Sequence, residues 1–150
     1  MMKIYFATDH AGFEFKNELL PYVESLGYET VDCGAHIYDE DDDYPEFVTN
    51  AAREVAIDPQ NHKAVILGGS GQGEAIMANR YKGVRAIVYN TENLDFVKLG
   101  REHNDANIIS LGARFISLEH AKEAVKLFFE TPFSEDERHI RRIREINDYS

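Results

Sequence analysis

The chain is short of cysteine, of positive charge and of long apolar runs. Cys33 is the only cysteine among 150 residues. It can form no internal disulfide and no cysteine-based metal site by itself, so a buried, inert thiol is the expectation. Lysine and arginine number 16 against 27 aspartates and glutamates, a formal net charge of −11. That balance argues against a nucleic-acid partner or an anionic membrane. The longest apolar runs, such as Ala64–Leu67, are the length of a strand and far from a membrane span. The N-terminus enters a strand with no apolar signal region, which makes a cytoplasmic location the expectation. What remains is 43% hydrophobic residues in a length that suits one domain with a sizeable core.

Strand and helix patterns alternate along the chain. Lys3–Thr8 is rich in β-formers. Phe15, Leu19, Leu20, Val23 and Leu26 recur at helical spacing within Phe13–Leu26, and Gly27 ends that helix. Tyr28–Asp32 reads as strand, and Pro45 opens a helix to about Ile57. Lys63–Leu67, Val84–Val88 and Asn107–Leu111 read as strands; Glu74–Tyr81, Thr91–Glu102 and Leu118–Phe129 read as helices. Five alternations predict a parallel sheet with helices on both faces. Ligands of such sheets bind at the carboxyl ends of the strands. Residues 131–150 fall outside the alternation and predict a further C-terminal helix, with Ile140, Ile143 and Ile146 on an apolar face. It can pack on its own domain or on a partner subunit.

Residues 65–79 read VILGGSGQGEAIMAN, with four glycines in six residues. Glycines let backbone N–H groups approach an oxygen-rich ligand. No lysine follows them, so this is no P-loop, and Glu74 stands where a dinucleotide fingerprint needs its third glycine. Glu74 falls where the loop becomes helix, and the helix end is expected to favour its ionised form. A carboxylate beside an anion cradle has the layout of a general base next to an oxyanion site. A phosphate-binding turn without catalysis has the same sequence.

Other candidates lie at strand ends. Asp9-His10 follows the first strand and is either an acid/base or binding pair, or a helix cap by Asp9. Arg114 follows the fifth strand, and His103-Asn104-Asp105 precedes it. Four arginines lie within Arg138 to Arg144; Arg138 and Arg142 share a helix face suited to a phosphate, or to ion pairs with Glu135, Glu137 or Glu145. The acidic run Asp39–Asp43 lacks the ligand spacing of a calcium loop and reads as solvated. Tyr44 lines a pocket or packs.

The segments TDHAGF (8–13), DYPEF (43–47), GGSGQGEAIMANR (68–80), GVRA (83–86), REHNDAN (101–107), LGAR (111–114) and RHIRR (138–142) together resemble the ribose-5-phosphate isomerase B family, which includes the galactose-6-phosphate isomerase subunits. The resemblance runs through nearly the whole chain. It implies an α/β three-layer sandwich with a five-stranded, Rossmann-like parallel sheet and an extra C-terminal helix. It also implies a single domain over 1–150, its C-terminal helix (131–150) at a subunit interface, and a homodimer or tetramer sharing its active sites. The implied reaction interconverts ribose 5-phosphate and ribulose 5-phosphate without metal or other cofactor.

The resemblance further implies Glu74 as the base, His103 in ring opening with Asp9 nearby, and the amides of Gly69, Ser70, Gly71, Gln72 and Gly73, with the Ser70 hydroxyl, around the enediolate. Asn104 would touch the sugar. His10, Arg114, Arg138 and Arg142 would bind phosphate, some from the neighbouring subunit, and Tyr44 would line the pocket. Many members carry a cysteine where this chain has Gly68, so it resembles the branch that uses a glutamate. Their GGRH turn reads DERH here, Asp136 to His139. The resemblance leaves open a hexose 6-phosphate, allose or galactose 6-phosphate, as substrate. A non-catalytic sugar-phosphate or nucleotide sensor is the alternative of another class; the set of Glu74, Ser70 and His103 argues against it.

Overall fold

Five short apolar strands form one parallel sheet in a computed structural model that describes residues 2–150. They are β1 (Lys3–Thr8), β2 (Glu29–Asp32), β3 (His62–Gly68), β4 (Ala86–Tyr89) and β5 (Ile108–Gly112), in the order β2-β1-β3-β5-β4. The helices are α1 (Phe13–Ser25), α2 (Tyr44–Ile57), α3 (Gln72–Ala78), α4 (Asp95–Asn104), α5 (Leu118–Glu130) and α6 (Glu137–Asp148). A 3-10 turn at His10–Gly12 precedes α1.

The sheet is covered on both faces, which is why its central strands are apolar on both. Val65 and Leu67 of β3 pack with Leu19 and Val23 of α1, Val97 of α4, and Val125 and Phe128 of α5. Ala64 and Ile66 point the other way, towards Val48, Ala51, Ala52 and Val55 of α2 and Ala78 of α3. Those four α2 residues recur at helical spacing and are fully buried. Burying a valine contributes about 1.5–3 kcal/mol relative to leaving it exposed. This is the α/β sandwich that the alternation predicts.

Several boundaries differ from the sequence reading, and side chains account for two of them. Val84 and Arg85 lie outside β4, because the Asn107 side chain takes the Arg85 N–H at 2.8 Å and gives its amide to Gly83. Residues from Thr91 are not helical until Asp95, whose N–H is held by the Asn93 side chain at 3.1 Å. α3 starts two residues earlier than expected and ends at Ala78.

The chain leaves β1 towards β2 on one side and returns to β3 on the other. That reversal opens a crevice at the carboxyl ends of β1 and β3. Asp9 and Gly69 follow directly there. α4 runs back to the opposite edge, so its last residues, His103 and Asn104, lie at the strands' amino ends. β5 spans five residues, which puts the two edges roughly 13 Å apart. α6 packs on α4. Its buried residue is His139, whose ring stacks on His103 at 4.3 Å between centroids. Ile140 and Ile146 of α6 remain exposed.

Candidate active site

Gly68, the last residue of β3, is where the site begins. A Cβ built on it would overlap the carboxylate of Glu74. The missing side chain therefore supplies the room in which the Glu74 carboxylate lies. Glu74 sits in the first turn of α3 and is 4% exposed. Burial raises its pKa above the ordinary carboxylate range, with the nearby Asp9 charge adding to the rise. A hydrogen bond from its own N–H opposes this. Loss of hydration thus outweighs the pull of the helix end towards the ionised form.

The loop between β3 and α3 is fixed by residues around it. Gly71 has φ +80°, a conformation glycine adopts without strain. The Ser110 hydroxyl donates to the Gly71 carbonyl at 2.6 Å, and the Asn90 amide donates to the Ser70 carbonyl at 3.0 Å. The Gln72 N–H is capped by the Ser70 Oγ at 3.2 Å. Among the described residues, the N–H groups of Gly69, Ser70 and Gly71 make no backbone hydrogen bond. The loop thus holds its carbonyls and leaves a row of donors beside Glu74. The Tyr44 hydroxyl lies against Gly73, so α2 closes this side of the loop.

On the other side is the end of β1. Asp9 is 7% exposed and accepts the Ala11 N–H at 2.9 Å, so the capping role is real. It also lies near Glu74, and burial raises its pKa. His10 Nδ1 is 2.8 Å from Asp42 Oδ1. Arg114 is exposed; its guanidinium lies over Gly69 and its N–H donates to the Gly69 carbonyl at 3.1 Å. His10, Tyr38, Ala113 and Arg114 line a cleft of about 340 Å³, within the size range of small-ligand sites. Asp9, His10 and Asp42 also bring ligand atoms within 4.8 Å of one another. Their bonds to the backbone and to each other account for that closeness without an ion.

One chain thus brings together Asp9, His10, Tyr44, the loop from Gly69 to Gly73, Glu74 and Arg114. It does not bring His103, Asn104, Arg138 or Arg142 to them. His103 and Asn104 are at the opposite sheet edge, and Arg138 and Arg142 are exposed on α6. Among the described residues, the ion pairs that the sequence offers these arginines as an alternative, to Glu135, Glu137 or Glu145, are not formed. A cavity of about 360 Å³ near Asn104, Arg85 and Ile146 lies at that far edge, remote from Glu74.

Sequence reasoning missed Asn90, Ser110 and Asp42. Asn90 follows β4 directly, and its place at a strand's carboxyl end was the available signal. Asp42 belongs to the acidic run, which is not wholly solvated: the Asp42 side chain is 7% exposed. Cys33 is partly buried, and burial pushes its thiol up to about 11, which makes it inert at neutral pH as expected.

Known proteins resemble this chain in sequence and in fold. The model of the Ribose/Galactose Isomerase family matches residues 4–146. Ribose-5-phosphate isomerase B of Mycolicibacterium paratuberculosis is 42% identical over 99% of this chain and 91% of its own length. The Mycobacterium tuberculosis protein of the same name is 40% identical, over 99% and 90%. The crystal structure of ribose-5-phosphate isomerase B from Mycoplasma genitalium with bound ribulose-5-phosphate superposes with a TM-score of 0.94 at 30% identity, covering 99% of this chain and 95% of that one. In sequence and in fold alike, the chain belongs to the ribose/galactose isomerase family.

Proposed function

We propose that the protein is an aldose–ketose isomerase that interconverts ribose 5-phosphate and ribulose 5-phosphate through a cis-enediolate, with Glu74 as the base. The observation that carries this reading is the Glu74 carboxylate, buried over Gly68 beside the free N–H groups of Gly69, Ser70 and Gly71. A proton α to a carbonyl is weakly acidic, so it leaves only where the oxyanion is stabilised as it forms. Each such donor is worth about 3–4 kcal/mol of barrier. A desolvated carboxylate with a raised pKa is a stronger base than one in water. From one face of the enediolate it can return the proton to either carbon. The bound ribulose-5-phosphate of the Mycoplasma genitalium relative supports the pentose substrate.

The phosphate falls to His10 and Arg114 at the cleft, and its fixed charge orients the reacting carbons. Ring opening is assigned to His103, with Asp9 and Asn104 on the sugar. His103, Asn104, Arg138 and Arg142 lie too far from their own Glu74 to act there, so a second copy supplies them. Ile76, Phe96, Leu99, Ile140 and Ile146 are exposed on α3, α4 and α6 and offer the apolar surface that such a dimer covers. Turnover assayed in parallel on ribose 5-phosphate, allose 6-phosphate and galactose 6-phosphate tests the substrate. The pentose is expected to give the highest kcat/KM, and preference for either hexose contradicts the reading.

A further inference from the structure

His10 is held from two sides by the loop that carries the acidic run. Asp42 Oδ1 accepts both the His10 N–H, at 2.9 Å, and the Nδ1 proton, at 2.8 Å. The Tyr38 ring stands edge-on to the imidazole at 6.4 Å between centroids. A turn positions Asp42: its own N–H donates to the Asp39 carbonyl at 3.1 Å, and the Asp41 N–H to the Asp39 carboxylate at 3.0 Å. The second oxygen of Asp42, Oδ2, is buried without a hydrogen-bond partner. A carboxylate so placed needs a counter-charge, because burying an uncompensated charge is costly. The imidazole in contact with it is the group that can supply one.

Nδ1 is committed to Asp42, which leaves Nε2 for the cleft. In neutral His10 that nitrogen carries a lone pair and repels a phosphate oxygen. In the imidazolium it carries a proton and donates. We infer that Asp42 is a positioning residue, which fixes the His10 ring through Nδ1 and holds it as a cation so that Nε2–H grips the substrate phosphate. This rests on the proposed reading of His10 as a phosphate ligand. The acidic loop thereby sets the strength of phosphate recognition without touching substrate.

The charges facing His10 agree with this assignment. The hydrogen bond to Asp42 raises its pKa, and the Asp9 and Asp42 charges add to the rise; burial and Arg114 oppose it. Glu14 lines the same cleft. The grip is therefore full below the ordinary histidine pKa and is lost as pH rises through the raised one. Above about pH 7 the substrate phosphate is already a dianion, so its own titration does not confuse the reading.

The test measures KM for ribose 5-phosphate and Ki for inorganic phosphate as a function of pH, from about pH 7 upward, where the phosphate stays a dianion. It compares wild type, Asp42→Asn, His10→Asn and the double variant. Asparagine keeps a hydrogen-bond acceptor and removes only the charge. Asp42→Asn should raise KM and Ki about tenfold or more, the loss expected for a charge-assisted hydrogen bond. kcat should be nearly unchanged. The pH dependence of binding should move to lower pH, and ¹⁵N NMR of the His10 ring should show the same downward move. The double variant should bind no worse than His10→Asn alone. Wild-type KM and ring titration in Asp42→Asn, or multiplying effects in the double variant, overturn the inference. Should His10→Asn itself leave KM and Ki unchanged, the phosphate role of His10 falls, and the inference with it.

Discussion

Replacing Gly68 with alanine adds one methyl group to the chain and aims it at the Glu74 carboxylate. The added Cβ would overlap the carboxylate carbon and both oxygens. Gly68 is fixed by strand pairing with Gly112, and the carboxylate is the free end of a flexible side chain, so the carboxylate is the group that moves. It must retreat by roughly 1 Å or more to restore ordinary contact, and a misplacement of that size can cost about a hundredfold in rate. A hundredfold loss corresponds to about 2.7 kcal/mol of barrier. The fold should survive, because the strain is relieved by rotation of a single side chain. Steady-state kinetics on ribose 5-phosphate with purified Gly68→Ala are expected to show kcat reduced about a hundredfold, with KM changed little. In the Glu74→Gln background the same substitution should add almost nothing, since the base is already gone. Wild-type kcat in Gly68→Ala would refute the reasoning, because the carboxylate cannot be both displaced and in place.

Three further outcomes are expected. On the proposed sharing of sites between two subunits, mixing the Glu74→Gln and Arg142→Ala variants under conditions of subunit exchange should recover about a quarter of wild-type activity, because half the dimers would be hybrids with one intact site; no recovery means that each site is built from one chain. Glu74 must be ionised to act, and burial raises its pKa, so kcat should fall as pH drops through a value above the ordinary carboxylate range; an acid limb within that range contradicts the burial argument. Arg101 is buried and donates to the Thr131 carbonyl, the Ala106 carbonyl and Asp105 Oδ1 at 2.9, 2.6 and 2.9 Å. Arg101→Ala leaves those acceptors unpaired and should cost about 3 kcal/mol, or roughly 6–12 °C in thermal midpoint, and an unchanged midpoint contradicts it.

The strand-to-helix pattern was legible because packing makes it so. β3 is buried on both faces, and its run of apolar residues could be read directly. The α2 repeat likewise reports the face that its helix buries. Boundaries near β4 and α4 were not legible, because they depend on Asn107 and Asn93 side chains reaching particular backbone groups. The loop at Gly68–Gly73 could be recognised as a cradle, since its chemistry is local. Which residues share one chain's crevice could not, because that follows from strand order and helix direction. Asp42 shows the limit most clearly. Five acids in a row look alike, and only a turn meeting His10, 32 positions away, buries one of them.

Glu74 is the proposed base, and Glu74→Gln tests that role most directly. The measurement is exchange of the substrate carbon-bound proton with deuterated water, followed by NMR, alongside turnover and binding of ribose 5-phosphate. Wild type should exchange and turn over. The variant should bind the sugar phosphate with nearly unchanged affinity and show neither exchange nor turnover above about a thousandth of the wild-type rate, the scale of lost general-base catalysis. Exchange and turnover at wild-type rates in Glu74→Gln would mean that another group takes the proton.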